Sequence, residues 1–372
     1  MKIFSCQNCQ TTTFFENRSC TTCGYQLGFD PASLNLLSLS TAGANLKPVS
    51  GEQEYRLCGN HSMYDACNWL IPADSADTLC QACELTRTLP LMSDPANLER
   101  VRRLEDAKRR MLFSLLDLQL PIVSRTTDAE AGLCFDFKLD SEEPFVKGKQ
   151  AAVLTGHDHG IITINALEAD PDEIERRKAN MGEHYRSLLG HFRHEIGHYY
   201  WDVLIKDNPQ RLARCRELFG DETLDYGEAL KKHYSDPVQD WSQQFISSYA
   251  SSHPWEDWAE SWAHYLHIID TVATASEYEV HALNQISGKK VDVGADAKTF
   301  AVIHDHWVTL STALNSMNRS MGINDPYPFA MPTSAIAKLE FIHSVISEAG
   351  RRPLSSSKPA TGRASSQAQA QG

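Results

Sequence analysis

The sequence predicts an α+β fold, and three observations carry that prediction. Eight of the ten cysteines fall before residue 84, short alternating apolar runs occupy the middle of the chain, and from about Asp170 to Val345 the apolar periodicity is helical. Strands first and helices later is the pattern of a segregated α+β architecture. The expected organisation is a cysteine-rich module over residues 1–90 and a main domain over 91–350, with a small sheet and a mainly helical C-terminal part. A Ser/Ala/Gln-rich tail over 351–372 is too polar to bury a core.

Composition bounds the function classes. A chain of 372 residues with 42% hydrophobic and 22% charged residues is ordinary for a folded, water-soluble protein. No run approaches the roughly 20 consecutive apolar residues that span a bilayer. The N-terminus enters a cysteine motif at once, without the apolar core of a signal peptide, so a cytoplasmic location is expected. The net charge of −13 disfavours broad nucleic-acid binding, which needs clustered cations.

The first element is the cysteine module. Cys6-x-x-Cys9 and Cys20-x-x-Cys23-Gly24 each offer two thiolates to one ion, and Gly24 permits the tight backbone of a zinc knuckle. Two such pairs make a closed, tetrahedral, structural zinc site of four thiolates. Cys58, Cys67, Cys80 and Cys83 form a candidate second site, although only Cys80 and Cys83 have knuckle spacing and His61 is a possible substitute ligand. In a reducing compartment such crowding favours metal over disulfides. Zinc ribbons often bind nucleic acid, but residues 1–90 hold five Lys/Arg against eight Asp/Glu, a net of −3, the wrong sign for phosphate. A role in docking a protein partner, or in covering the main domain, fits better.

A helix follows from about Asn97, with Leu98, Val101, Leu104, Ala107, Met111 and Leu115 at spacings of three and four. Its other face carries Arg102, Arg103, Lys108, Arg109 and Arg110 and reads as solvated. Alternation in Leu133–Leu139 predicts a half-buried strand. A second strand, Ile161–Ile164, comes after the turn-like segment 156–160.

The chemistry lies in His194-Glu195-Ile196-Gly197-His198. Helical spacing puts the two histidines on one face, one turn apart, where both can reach a zinc ion at about 2.0–2.1 Å. Glu195 is then placed to act as general base on a water at the metal. Tyr185, Leu188, Leu189, Phe192, Ile196, Tyr199 and Val203 make an apolar stripe, so the helix should be buried. Gly197 costs roughly 1 kcal/mol of helix propensity against Ala, which the close approach of another segment would explain. A catalytic zinc takes a third protein ligand. The best source is the stretch from His253 to His267, where Pro254 with Glu256 and Asp257 makes good helix N-terminal chemistry. Chemistry alone permits Glu260, His264 or His267.

Two segments, Arg193–Trp201 and Pro254–Glu260, together with the cysteine module, resemble bacterial zinc-binding metallopeptidases that carry an N-terminal zinc ribbon. The arrangement is of the zincin type in which a downstream glutamate completes the site. That resemblance covers nearly the whole chain except the tail. It implies His194, His198 and Glu260 as ligands of a catalytic zinc, Glu195 as catalyst, and one or two structural zinc ions in the ribbon. His264 lies where related enzymes often carry an acidic residue supporting a zinc histidine, and residues 199–259 form a longer gap than is usual, so a segment must loop out. Tyr249 and His253 are candidates for a second donor to the oxyanion. The Gly160–Asn165 strand is a candidate edge for laying down a substrate backbone. The expected function is zinc-dependent hydrolysis of peptides or proteins. The competing reading is a zinc-stabilised adaptor that binds peptides without cleaving them, which intact His194, Glu195, His198 and Glu260 disfavour. Neither a nucleic-acid nor a membrane partner is expected.

Overall fold

The computed structural model describes residues 2–142, 145–146, 149–150, 152–181, 187–280, 282–283, 290–291, 300–327 and 330–350. The tail expected over 351–372, and Tyr185 of the apolar stripe, lie outside them. The architecture is α+β. At the N-terminus a two-stranded hairpin, β1 (Phe4–Ser5) with β2 (Thr12–Thr13), carries the first cysteines. Five antiparallel strands follow in sequence order: β3 (Gln26–Asp30), β4 (Asn35–Ala42), β5 (Asn45–Pro48), β6 (Tyr55–Leu57) and β7 (Leu70–Pro72).

The last strand of the segment expected as the cysteine module joins the sheet of the main domain. Thr86–Thr88 (β8) pairs in parallel with β9 (Cys134–Lys138), and so belongs to the sheet of the main domain. That sheet is completed by β10 (Gly156–Asp158) and β11 (Ile161–Asn165), in the spatial order β10-β11-β9-β8. β11 runs parallel to β9 and antiparallel to β10. The segment expected as a turn is therefore half strand. The turn itself is His159-Gly160, both in the left-handed region at φ 45° and 81°, as a tight hairpin requires. The strand expected at the edge, β11, lies inside the sheet, and β10 is the edge.

β9 is also buried on both faces rather than one. Phe135 and Phe137 pack on Phe192, with ring centroids 5.8 and 6.1 Å away. On the other face Asp136 is buried because the Arg87 guanidinium of β8 grips its carboxylate, Nε to Oδ1 at 2.9 Å.

The long helices are α1 (Pro95–Asp117), α2 (Pro171–Met181), α3 (Leu188–Trp201), α4 (Pro209–Phe219), α5 (Tyr226–Ser235), α6 (Pro254–Glu277), α7 (Phe300–Ser320) and α8 (Thr333–Gly350). None of the described helices is long and apolar enough to cross a membrane. After α3 the backbone widens into a π-turn over Asp202–Lys206, which changes the helical phase and leaves Val203, expected in the stripe, exposed.

α1 departs from the sequence expectation on its basic face. Lys108 and Arg109 are buried, at 0% and 2% exposure. Lys108 Nζ donates to Glu105 Oε1 at 2.8 Å and sits over the Phe135 ring. Arg109 Nη1 donates to the carbonyl of Ala66, beside Cys67, at 2.6 Å. A buried cation persists only with such partners. For Lys108 they come from α1 itself and β9, for Arg109 from the cysteine module, and Phe113 of α1 packs into the module's aromatic cluster, 5.5 Å from Phe15 and 5.8 Å from Phe29. One contiguous apolar core therefore runs from Phe4 to Ile346.

The contact that fixes the main domain is α3 on α6. A Cβ on Gly197 would meet Ala259 Cα and Trp262 Cβ, each at 3.1 Å. The close approach expected from the glycine is thus observed. Trp258 Nε1 donates to the Gly197 carbonyl at 2.9 Å, within this fully buried seam. Gly197→Ala should therefore destabilise the protein. Overpacking of about 1–3 kcal/mol exceeds the roughly 1 kcal/mol gained in helix propensity. Thermal unfolding checks this, and a raised melting temperature would contradict it.

Candidate metal centre

α3 begins on Ser187, whose hydroxyl accepts from the Gly190 amide at 3.0 Å, a side-chain cap that starts the helix one turn before His191. α6 begins on His253, whose Nδ1 accepts from the Trp255 amide at 3.1 Å, with Pro254 in the first position. Because Nδ1 accepts, the neutral ring carries its proton on Nε2, which donates to the Leu224 carbonyl at 3.1 Å. Both ring nitrogens of His253 are engaged, so it is a helix cap and a clasp for the segment before α5, not an oxyanion donor.

The seam between α3 and α6 brings His194, His198 and Glu256 together, with one ligand atom from each lying within 4.8 Å of the others. Glu256 Oε2 is 3.0 Å from His194 Nε2 and 3.6 Å from His198 Nε2. That oxygen is buried, with the two imidazoles as its charge partners. A buried carboxylate must be paired, here with a protonated imidazole or with a metal ion that takes the proton's place. Two imidazole nitrogens and one carboxylate oxygen are the donor set of a zinc site with an open position. The residues present fit that ion.

Glu260, expected as the third ligand, lies behind the first histidine instead. Its Oε1 accepts from His194 Nδ1 at 2.7 Å and its Oε2 from Ser247 Oγ at 2.6 Å. A carboxylate can only accept, so a proton stays on Nδ1 and Nε2 is turned toward Glu256, the usual carboxylate support of a metal-binding histidine. Glu256 and Glu260 are one turn apart on α6, and the helix register turns the first toward the Nε2 atoms of both histidines and the second toward His194 Nδ1. His264 is not at the centre: its Nδ1 hydrogen-bonds the Tyr327 hydroxyl at 2.7 Å, and burial pulls its pKa down to about 4. His267, the other alternative, meets Arg193 through Nδ1 at 2.6 Å.

Glu195 sits beside the histidines with Oε2 buried and unpartnered and Oε1 3.6 Å from His191 Nε2. His191 in turn hydrogen-bonds Glu168 through Nδ1. Tyr249 lies 5.9 Å from His194 between ring centroids and is hydrogen-bonded to Tyr226, whose hydroxyl donates to Glu256 Oε1 at 2.7 Å. Tyr226 and His191 escaped the sequence reading, because neither falls in a recognisable motif. Opposite α6, His157 of the edge strand stacks on His198 at 6.3 Å. Burial and the neighbouring His198 depress the His157 pKa to about 3. It is neutral and accepts from the Gly160 amide through Nε2 at 2.9 Å.

Both cysteine groups are assembled. Cys6 to Cys23 and Cys9 to Cys20 are 3.5 Å apart between sulfurs, and Cys67 to Cys80 is 3.6 Å. These separations far exceed a disulfide bond of about 2.05 Å. They approach the ~3.8 Å edge of a tetrahedron with Zn–S bonds of about 2.3 Å. All ten thiols are free. The irregular Cys58/Cys67 half completes its group without His61, whose Nδ1 is turned to the Cys67 carbonyl at 2.8 Å. Against its burial, hydrogen bonds from Ser38 and neighbouring amides draw the Cys6 thiol down to about 6, toward the thiolate that zinc requires.

A family model described as "Putative zinc-binding metallo-peptidase" matches residues 97–345, and one described as a zinc-ribbon domain matches residues 3–94. The chain belongs to this metallo-peptidase family. Uncharacterized proteins of Mycobacterium tuberculosis and Mycobacterium bovis are each 40% identical to it over 349 residues, 94% of this chain and 96% of theirs. No solved structure matches it. The family description supports zinc, and the three assembled residue groups of this member are where it would reside.

Metal loading at the histidines should be coupled to protons. In the metal-free site burial disfavours a charged His194, but the Glu256 and Glu260 carboxylates more than offset it and raise its pKa well above the usual 6.5. Zinc must therefore compete with a proton for Nε2 while Glu260 keeps the one on Nδ1, and affinity should rise with pH. Calorimetric titrations in two buffers of different ionisation enthalpy should show about one proton released from His194 per ion. No release would contradict the assigned role of Glu260.

Proposed function

We propose that this protein is a zinc-dependent peptidase whose catalytic ion is held by His194, His198 and Glu256, with Glu195 as general base and two structural zinc ions in the cysteine module. The observation that carries the reading is a buried Glu256 Oε2 set between two imidazole nitrogens, next to a buried Glu195 Oε2 that has no hydrogen-bond partner among the described residues.

Zinc in such a set supplies Lewis acidity, polarising a carbonyl and lowering the pKa of a coordinated water to about 7. The protein supplies the rest. Glu195 accepts the proton of the attacking water at Oε2 and returns it to the leaving nitrogen. Glu260 fixes the His194 ring and its tautomer. A substrate backbone is read as an added strand along β10, the edge beside His198, which is the strand-addition mode of peptide recognition. Ten free thiols fit a reducing compartment, which supports a cytoplasmic setting.

The test compares wild type with Glu195→Gln over a diverse peptide library, with zinc counted in both. Wild type should hold about three zinc ions, one per ligand group, and cleave. The variant should hold as many and lose about 10²–10⁴-fold in rate, the usual contribution of a positioned base. Equal cleavage by both would overturn the mechanism, and a zinc-loaded wild type with no cleavage would leave a peptide-binding adaptor.

A further inference from the structure

We propose that Tyr226 is a positioning residue of the metal site, holding Glu256 so that one oxygen alone faces the ion and tying helix α5 to metal loading. The inference rests on the reading of His194, His198 and Glu256 as the zinc ligands.

The two oxygens of Glu256 have different surroundings. Oε1 accepts from the Tyr226 hydroxyl at 2.7 Å, whereas Oε2 is buried and faces both imidazoles. With Oε1 held by the tyrosine, the carboxylate is oriented to present a single donor atom. A ligand supported in this way binds metal more tightly, because the ordering of its side chain is complete before the ion arrives. Tyr226 is itself held. Its ring lies edge-on to His253 at 5.3 Å and to Trp255 at 6.1 Å, Tyr249 hydrogen-bonds its hydroxyl, and His253 clasps the Leu224 carbonyl just before it.

The second half of the inference follows from where Tyr226 sits. It opens α5, a ten-residue helix with no buried residue, in the segment that the long gap between the histidines and α6 requires. A helix lying on the surface, with Leu224 and Tyr234 exposed beside it, has little apolar burial to hold it. The hydroxyl-to-carboxylate bond is then a large share of what anchors its first turn. If Tyr226 strengthens zinc binding, zinc must by linkage strengthen the docking of α5, since the coupling between two sites is reciprocal. Loading the ion and docking the first turn of α5 become one event.

The experiment uses the full chain with its cysteine sites filled, and inorganic zinc as the probe. Chelator competition should give Tyr226→Phe an affinity about 10–100-fold weaker at the histidine site. Zinc at the cysteines, and the melting temperature before the last ion is added, should be unchanged. In wild type, zinc should slow hydrogen exchange over residues 226–235, and in Tyr226→Phe that protection should be lost. Tyr249→Phe, acting through Tyr226, should weaken binding less. An affinity within about twofold of wild type, well short of the loss expected for a ligand's support, while Glu256→Ala abolishes binding, would overturn the inference and leave the site intact. Wild type binding no ion beyond those of the cysteines would overturn the site itself, and the inference with it.

Discussion

Everything at the centre depends on one close contact, the absence of a side chain at Gly197 against the backbone of Ala259. Two helices usually pack with axes about 8–10 Å apart, set by the side chains between them. Here the glycine lets α6 drop against α3, and Trp258 closes the seam by donating to the Gly197 carbonyl at 2.9 Å. Gly197 lies between Glu195 and His198, and Ala259 lies between Glu256 and Glu260, so the contact fixes the register of carboxylates against imidazoles. Sliding α6 by one turn would put Glu260 where Glu256 now lies and His264 where Glu260 lies. The same seam buries Asp257, whose carboxylate meets Lys338 Nζ of α8 at 2.5 Å. The third long helix is thereby pinned to the first turn that carries the ligand.

The cysteine module is bound into this arrangement rather than tethered to it. A zinc ion held by four thiolates carries net negative charge in a place without water, and a buried charge must be paired. α1 provides the pairing through Arg109, whose pKa, despite full burial, is raised by Cys67, Glu105 and Asp106. Glu105 and Lys108 complete the network, and the other side of α1 packs against α3. The second cysteine site therefore sits two helices from the metal-binding histidines, within one continuous core.

Much of this was legible in the sequence where spacing alone decides geometry. His194 and His198 had to share a helix face, the first two Cys-x-x-Cys pairs had to converge, and Gly197 announced a close neighbour. What spacing cannot decide is which of two groups one turn apart reaches a common point. Glu256 and Glu260 both lie on the correct face of α6, and the helix dipole also explains Glu256, so nothing local marks it as the ligand. The buried Lys108 and Arg109 are hidden for a related reason: a basic helix face looks solvated until an anionic partner from elsewhere covers it. The edge strand reads as a turn because β10 has three residues, too few for alternation to show. Tyr226 belongs to no motif, and only the fold of residues 199–253 carries it to Glu256.

The most direct measurement is the position of the zinc anomalous peak in crystals of the zinc-loaded protein. The account predicts a peak about 2.0–2.2 Å from His194 Nε2, His198 Nε2 and one oxygen of Glu256, with Glu260 still bonded to His194 Nδ1. A peak coordinated by Glu260 or His264 in place of Glu256, or none at the histidines while the cysteine sites are filled, would contradict it.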